Sequence, residues 1–181
     1  PEMRDALFAG HTGNDGSAIA WGRALGARLA DLGGYQGHGS WAIPQGALIT
    51  WAVMMEGGVQ LNARGERFHD ETEGYSEAAV HVLAQPGGVA WDVFDGPILD
   101  LARGFPDFCA AEAAGAVKTC ADARALATLI GCDVSKLIAS DDHSTMGSGQ
   151  NDPETSTGTS LRGPGRPLCS PFYAIQVTGA L

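Results

Sequence analysis

Residues 57–71 read GGVQLNARGERFHDE, and this stretch decides how the rest of the chain is interpreted. Residues 59–62 predict a short strand. Residues 63–66 predict the turn that leaves it, because Gly65 can adopt a positive φ at little cost. By composition alone, the charged residues that follow are typical of a solvated turn. A short strand and a charged turn are therefore the first elements from which the fold is built.

Helices and strands are mixed on both sides of this stretch, without strict βαβ alternation. Apolar residues at helical spacing predict a helix over 18–32. Residues 35–41 are rich in glycine and predict a loop, and residues 141–167 predict a long irregular excursion. We further predict strands over 47–53, 89–94 and 172–178, and helices over 76–85, 98–103, 108–114, 122–130 and 135–140. This mixture predicts the α+β class.

The composition limits the partners of the chain. It has 181 residues, 44% of them hydrophobic, with a net charge of −10 and a pI of about 4.7. This length suits one domain, or one domain with pieces of a second. An acidic chain disfavours non-specific nucleic-acid binding, and no stretch is long and apolar enough to span a bilayer. We therefore expect neither nucleic acid nor a membrane as a partner.

The cysteines and histidines indicate no metal site. None of the four cysteines forms a Cys-x-x-Cys pair, and the five histidines are scattered. Free thiols favour a reducing compartment, so a cytoplasmic location is expected. The chain also lacks a Gly-x-Gly-x-x-Gly motif, a Walker loop and a Gly-x-Ser-x-Gly elbow, so it carries no complete nucleotide-binding fingerprint and no hydrolase nucleophile signature.

Four stretches, in this order, resemble the fumarate reductase / succinate dehydrogenase flavoprotein family of FAD-dependent oxidoreductases. Residues 57–71 are the most specific, because they are similar to the family's strand followed by Val-Asn-x-x-Gly-x-Arg-Phe-x-Asn-Glu. Residues 12–16, TGNDG, are similar to the family's Thr-Gly-Asp-Gly segment, which holds FAD. Residues 85–95 and 171–178 complete the order, so the resemblance spans nearly the whole chain.

In this family a capping, substrate-binding domain is inserted into the FAD-binding domain. The resemblance therefore implies that residues 1–45 are a fragment of the FAD-binding domain and residues 46–167 the capping domain. Residues 168–181 would be the strand that returns into the FAD-binding domain. The family's Gly-rich ADP-binding segment and its His-Thr-x-Gly-Gly stretch do not occur in this sequence. We therefore expect FAD in the full-length parent, and weak or no FAD binding by this chain alone.

The resemblance implies FAD contacts at Asn14, Asp15 and Gly16. Exposed N–H groups at the start of a helix attract phosphate or a polarised oxygen, and Asp15 stands directly before the predicted helix. The alternative is plain N-capping by Asp15 or Ser17, which can coexist with a cofactor contact.

Two residues are expected to bind the substrate. His38 lies where the family carries a substrate-binding His, and an imidazole beside glycines can approach a ligand closely; the alternative is a His in a surface loop. Thr50 matches a family Thr that hydrogen-bonds a substrate carboxylate; the alternative is an ordinary strand Thr. The resemblance thus implies a small-molecule acid as the partner.

Three positions depart from the family pattern. The Glu and Arg of the family's proton relay are replaced by Trp51 and Met54, and its proton-donor Arg falls at about Tyr75. The expected substrate is therefore carboxylated but is not fumarate. Tyr75 is the candidate catalytic residue, because a phenol can donate a proton and an aromatic wall suits a more apolar substrate. The alternative is an aromatic side chain at a helix start that packs on the core.

Two functions stay open on the sequence alone. The first is a part of an FAD-dependent oxidoreductase that moves a hydride between flavin and a C–C bond of the substrate. The second is a non-catalytic binding module with the cap fold and no flavin, which the missing relay residues favour. Residues 172–178 predict an aromatic and β-branched strand that needs a partner, so pairing of two copies through exposed strands is a further expectation.

Overall fold

The computed structural model describes residues 3, 6–139, 160–162 and 166–181. The helices are α1 (Ser17–Ala24), α2 (Ala52–Met55), α3 (Tyr75–Leu83), α4 (Gly96–Ala102), α5 (Pro106–Ala113), α6 (Ala123–Ile130) and α7 (Val134–Ala139), with short 3-10 helices at Glu71–Glu73 and Pro86–Gly88. The strands are β1 (His38–Ala42), β2 (Ala47–Leu48), β3 (Val59–Leu61), β4 (Val89–Phe94), β5 (Lys118–Cys120), β6 (Ser160–Arg162), β7 (Pro167–Cys169) and β8 (Phe172–Ala180). The predicted mixture of helix and sheet is confirmed.

The main sheet is antiparallel, with the strand order β2-β1-β8-β4-β3. β8 lies at its centre between β1 and β4, and β5 pairs with the first residues of β8. The strand predicted over 172–178 needs a partner, and β1 and β4 supply two within the chain. β8 is buried over most of its length because it has strands on both sides. β6 and β7 form a separate two-stranded sheet.

The predicted strand over 47–53 is wrong beyond its first two residues. The chain pairs with β1 only at Ala47–Leu48 and then turns into the helix α2. The turn is made at Thr50, whose Oγ1 accepts the N–H of Ala52 at 3.3 Å. Trp51 then accepts the N–H groups of Met54 and Met55 through its carbonyl oxygen. A short buried apolar run has no periodicity that separates strand from helix, so the sequence pattern was ambiguous here.

The predicted helix over 18–32 is also shorter than expected. α1 ends at Ala24 because Gly26 adopts a φ of 84°, which a right-handed helix does not allow. Gly16, rather than Asp15 or Ser17, occupies the N-cap position of α1. None of the residues of α1 is buried within the described part of the chain, and Ile19 and Trp21 are exposed.

Helix α3 packs closely on β1 and β8, and glycines make this possible. A Cβ at Gly39 would lie 2.6 Å from the Cβ of Ala78, and one at Gly179 would lie 2.7 Å from the carbonyl oxygen of Ala79. Only residues without a side chain fit at such distances. The glycines therefore bring the start of α3, at Tyr75, next to the start of β1.

Residues outside the described ranges include most of the predicted excursion over 141–167. Within the described residues, no helix has both the length and the apolarity needed to cross a bilayer. The same residues contain no group of three or more His, Cys, Asp or Glu side chains placed to hold a metal ion. The four cysteines are free thiols.

Candidate functional site

A cleft of about 600 Å³ opens where β1, α2 and α3 begin. It collects all three residues predicted to handle substrate, although they come from separate parts of the sequence. Ala9, Gly10 and Leu181 also line it, and Leu181 donates its N–H to the carbonyl oxygen of Leu7 at 2.7 Å. The lining residues are Ala9, Gly10, Gln36, Gly37, His38, Leu48, Thr50, Trp51, Ala52, Tyr75 and Leu181.

His38 is the first residue of β1 rather than part of a loop, which corrects the prediction for 35–41. The neighbouring glycines, which were expected to let the imidazole approach a ligand, have a different role. Gly37 and Gly39 are buried, and a Cβ on either would meet α3 at 2.7 Å or less, so they serve helix packing and not approach to a ligand. The side chain of His38 instead contacts Tyr75, the first residue of α3.

The ring of His38 is held by two aromatic side chains. It stacks on Tyr75 with the centroids 5.1 Å apart, and it meets Trp51 edge-on at 6.1 Å. Its Nδ1 accepts the backbone N–H of Ser40 at 3.1 Å. Burial lowers the pKa of His38 to about 4, so the ring is neutral at physiological pH. A neutral ring that accepts at Nδ1 carries its proton on Nε2, where it is a hydrogen-bond donor.

Tyr75 is the first residue of α3 and faces the cleft, with 38% of its surface exposed. Its hydroxyl oxygen accepts from Gln36 Nε2 at 2.7 Å. No acceptor for the hydroxyl hydrogen is present in the described part of the chain, so that hydrogen stays available to a bound molecule. The alternative interpretation, an aromatic side chain at a helix start that packs on the core, is right about the helix start. The ring of Tyr75, however, stacks on His38 and does not pack into the core.

Thr50 and Trp51 also line the cleft. Thr50 Oγ1 accepts the N–H of Ala52, which leaves its own hydrogen free to be donated. Trp51 is 7% exposed, and its Nε1–H is buried without a hydrogen-bond partner among the described residues. Met54, the other departure from the relay, lies in the core and does not line the cleft. Within the described chain, the lining of the cleft contains no charged side chain.

The predicted cofactor residues lie elsewhere, in the exposed turn before α1. Asp15 accepts the N–H of Ser17 at 2.9 Å, and this hydrogen bond lowers the pKa of Asp15. Asn14 and Gly16 are exposed beside it, and Gly16 has a φ of 79°. None of the three lines the cleft, although Ala9, on the same segment, does.

The turn suits hydroxyl groups better than phosphate. Asp15 already occupies the N–H of Ser17, and the N–H groups of Ile19 and Ala20 return to the carbonyl oxygen of Gly16. Few free donors remain for an anion, whereas a carboxylate accepts hydrogen bonds from sugar-type hydroxyls. FAD carries such hydroxyls, so these residues fit that part of the cofactor.

A buried polar cluster behind His38 was not predicted. Asp92 on β4 is fully buried and accepts from the hydroxyl of Ser40 and, at 2.7 Å, from Gln60 Nε2. Gln60 Nε2 also donates to the carbonyl oxygen of Gly39 at 2.9 Å. Burial raises the pKa of Asp92 to about 7, although the hydrogen bonds from Ser40 and Gln60 act against it.

Ser40 joins this cluster to the cleft, because its hydroxyl contacts Asp92 and its backbone N–H contacts His38. A backbone amide keeps its proton, so the connection orients the His38 ring and does not carry protons to it. On the far side, Gln60 Oε1 meets His69 Nε2 at 2.8 Å. The signals in the sequence were polar residues, Gln60 and Asp92, inside two predicted strands.

The charged run of residues 66–71 has a structural role. Glu71 is 1% exposed and accepts the N–H of Gln60 at 2.9 Å. It also pairs with Arg67, whose Nε lies 3.1 Å from Glu71 Oε1. The stretch that resembles the family signature thus fixes the turn after β3 against that strand.

Comparison with known proteins gives consistent matches. The model of a family described as "FAD binding domain" matches residues 1–180. The NADH:fumarate oxidoreductase of Klebsiella pneumoniae (strain 342) is 26% identical over 98% of this chain and 19% of its own length. The fumarate reductase (cytochrome) of Shewanella frigidimarina is 27% identical over 52% of this chain and 17% of its own length. The chain thus spans about a fifth of the length of these relatives.

A solved structure has a similar fold. The open conformation of a flavocytochrome c3 fumarate reductase superposes with a TM-score of 0.67 and 25% identity, over 99% of this chain and 31% of that one. The match extends over both the sheet with its cleft and the segment that contains α1.

Proposed function

The chain belongs to the family of FAD binding domains, and from this premise we propose that it is part of an FAD-dependent oxidoreductase. The parent protein would move a hydride between flavin and a C–C bond of a small substrate other than fumarate, and the flavin supplies that chemistry when bound. The observation that carries the proposal is the cleft, where His38, Thr50 and Tyr75 meet although they are distant in sequence. The fumarate reductases among its relatives support the same class of reaction.

We propose the following roles for the residues of the chain. Asn14, Asp15 and Gly16 hold FAD through its hydroxyl groups. His38 and Thr50 bind the substrate through Nε2–H and the Thr hydroxyl, and Thr50 contacts a substrate carboxylate. Tyr75 is the catalytic residue, because its hydroxyl hydrogen has no acceptor in the described chain and faces the cleft. An acid at this position can supply the proton that accompanies hydride transfer.

The domain division that we propose is residues 1–45 and 168–181 for the FAD-binding domain and residues 46–167 for the cap. The two outer pieces are adjacent in space, since Leu7 bridges Ala180. β1 and β8 share their sheet with β3 and β4, so under this proposal the joint between the domains runs through the sheet. The unburied apolar face of α1 supports a larger FAD-binding domain that covers it.

A second candidate is a binding module that uses the cap fold without flavin. The uncharged cleft favours it, because the described residues supply no cationic relay and Met54 lies in the core. The two candidates make different predictions for the parent protein. An oxidoreductase contains flavin, whereas a binding module does not.

The direct test is the flavin content of the full-length protein. We expect the purified protein to show a flavin absorbance band. The bound flavin should be reduced and reoxidised reversibly. A full-length protein that contains no flavin, even after incubation with FAD, would contradict the oxidoreductase and leave the binding module. Calorimetry with small acids would then decide whether the cleft binds at all.

We also propose that two copies pair through exposed strand edges. Within the described sheet, β2 pairs only with β1, so one edge is open. Sedimentation of the full-length protein should then show a dimer that dissociates on dilution. A monomer at every concentration tested would contradict this pairing.

A further inference from the structure

The wall of the cleft contains a group of three rings, which we call the ring cluster: His38, Trp51 and Tyr75. His38 lies between the other two, stacked on Tyr75 and edge-on to Trp51. Such a cluster offers flat, apolar contact area together with polar atoms at the ring edges. It favours a ligand with flat, weakly hydrated groups over a strongly hydrated one.

The ring cluster carries hydrogen-bond donors but no positive charge. Trp51 supplies an indole N–H that is buried without a partner in the described residues. His38 supplies Nε2–H from a ring that burial keeps neutral, and Tyr75 supplies its hydroxyl hydrogen. Trp51 lines the cleft, and leaving a buried donor unpaired is costly, so its N–H favours a ligand that brings an acceptor.

A buried anion is a poor partner for these donors. A carboxylate that leaves water without a cation beside it loses far more solvation than neutral hydrogen bonds return. An uncharged carbonyl oxygen loses much less on burial and accepts two hydrogen bonds, which suits a lining of neutral donors. The lining residues of the described chain thus favour an uncharged carbonyl oxygen over a carboxylate oxygen.

We propose that the substrate binds the ring cluster through an uncharged carbonyl oxygen, conjugated or adjacent to the C–C bond that reacts. This inference rests on the proposed function, and it specifies the class of substrate for the same cleft. It is compatible with one carboxylate at Thr50. It disfavours a dicarboxylate, because the second anion would face Trp51 and His38.

Three succinate derivatives test the proposal on one carbon skeleton: succinate, monomethyl succinate and dimethyl succinate. They differ in charge and are not electrophilic, so they do not alkylate the exposed thiols of Cys109 and Cys169. Calorimetry of the full-length protein should give monomethyl succinate a Kd at least about tenfold below that of succinate, since one anion is no longer buried. Dimethyl succinate should also bind more tightly than succinate.

Substitution of the unpaired donor sharpens the test. Trp51→Phe keeps an aromatic side chain and removes the N–H, so affinity for monomethyl succinate should fall by about three- to tenfold while affinity for succinate changes little. Trp91→Phe is the matched control, since Trp91 lies on β4 and does not line the cleft. Thermal melting of both variants checks that they fold.

Three results would overturn the proposal: succinate binds as tightly as its monomethyl ester, none of the three compounds binds, or Trp51→Phe weakens all compounds equally. These outcomes are independent of the flavin test. A protein that contains flavin and prefers succinate keeps the proposed function and loses this inference. A protein without flavin that prefers the ester loses the oxidoreductase, and the cleft keeps its preference for a carbonyl.

Discussion

Helices α1 and α3 are alike in sequence terms but differ in what supports them. They have eight and nine residues, and each follows a glycine with positive φ, Gly16 at 79° and Gly74 at 117°. α3 buries Ala78, Ala79 and Val82 against the sheet, whereas α1 buries no residue. Two helices with similar lengths and similar starts therefore differ in packing. The sheet buries one face of α3, whereas the apolar face of α1 is exposed.

This difference in helix packing determines how firmly the predicted site residues are positioned. Tyr75 is placed in the cleft by the packing of α3 on β1 and β8. Asp15 is placed only by a turn that ends in solvent. The cleft is thus built by the described chain itself, while the residues proposed to hold FAD precede a helix that buries no residue.

The largest effect is expected at Tyr75. Tyr75→Phe removes the hydroxyl and keeps the ring that stacks on His38, so turnover of the full-length protein should fall by about 10²–10⁴-fold with little change in stability. Tyr173→Phe is the control, because Tyr173 stacks on Phe94 away from the cleft. Stopped-flow measurement of flavin oxidation state follows the reaction. Unchanged turnover in Tyr75→Phe would remove Tyr75 from the mechanism.

A second effect comes from the buried cluster beneath the cleft. Asp92 has a pKa of about 7 in the folded chain and 3.8 as its ordinary value, so between pH 4 and 7 the folded state holds a proton that the unfolded state has lost. Stability therefore falls as the pH rises through this window, by up to about 4 kcal/mol for a shift of roughly three units. Asp92→Asn should abolish that fall and be the more stable form at pH 8.

His38 acts in the opposite direction. Its pKa is about 4 when folded and 6.5 ordinarily, so its contribution to stability grows as the pH rises from 4 to 6.5. Denaturant unfolding of the wild type, Asp92→Asn and His38→Gln across pH 4–8 separates the two groups. Equal pH profiles for the wild type and Asp92→Asn would show that Asp92 is ionised throughout.

The packing contrast itself can be tested with one type of substitution in two places. Gly39→Ala adds a Cβ 2.6 Å from that of Ala78, so it should destabilise the chain by about 1–3 kcal/mol. In Gly22→Ala the new Cβ meets nothing closer than 3.7 Å, so better helix propensity should stabilise α1 by up to about 1 kcal/mol. Thermal or urea unfolding measures both. Effects of the same sign would contradict the contrast.

The smallest effect is expected at the exposed turn. Asp15→Ala should raise the Kd for FAD in the full-length protein by about tenfold, through the loss of hydrogen bonds to a charged acceptor. Asp133→Ala is the matched control, since Asp133 makes the same hydrogen bond to the N–H of Ser135, at 2.9 Å, ahead of α7. Equal FAD affinity in both variants would mean that Asp15 only caps its helix.

Elements with local signals were predictable from the sequence. The strand predicted over 89–94 is β4, and the helix predicted over 122–130 is α6, where Asp122 accepts the N–H of Ala125 and Gly131 ends the helix. The sequence predicted His38, Thr50 and Tyr75 as separate site residues, but it did not predict how they contact one another. No local pattern shows that His38 and Tyr75 stack, because their contact depends on the packing of α3 against the sheet.

Other features depend on contacts that sequence patterns do not report. The apolar run over 47–53 satisfied both strand and helix, and the hydrogen bond at Thr50 decided between them. The cluster around Asp92 joins residues 52 positions apart in the chain, Ser40 and Asp92. Such pairings follow from the order of strands in the sheet, which composition and periodicity leave open.

Ligand binding observed through the flavin tests directly whether this cleft is the substrate site of a flavoprotein. Titration of the flavin-containing full-length protein with monomethyl succinate should perturb the flavin absorbance spectrum, saturating at the Kd that calorimetry gives. His38→Gln should weaken both signals together. Tight binding that leaves the flavin spectrum unchanged, or a full-length protein that takes up no flavin, would contradict the account.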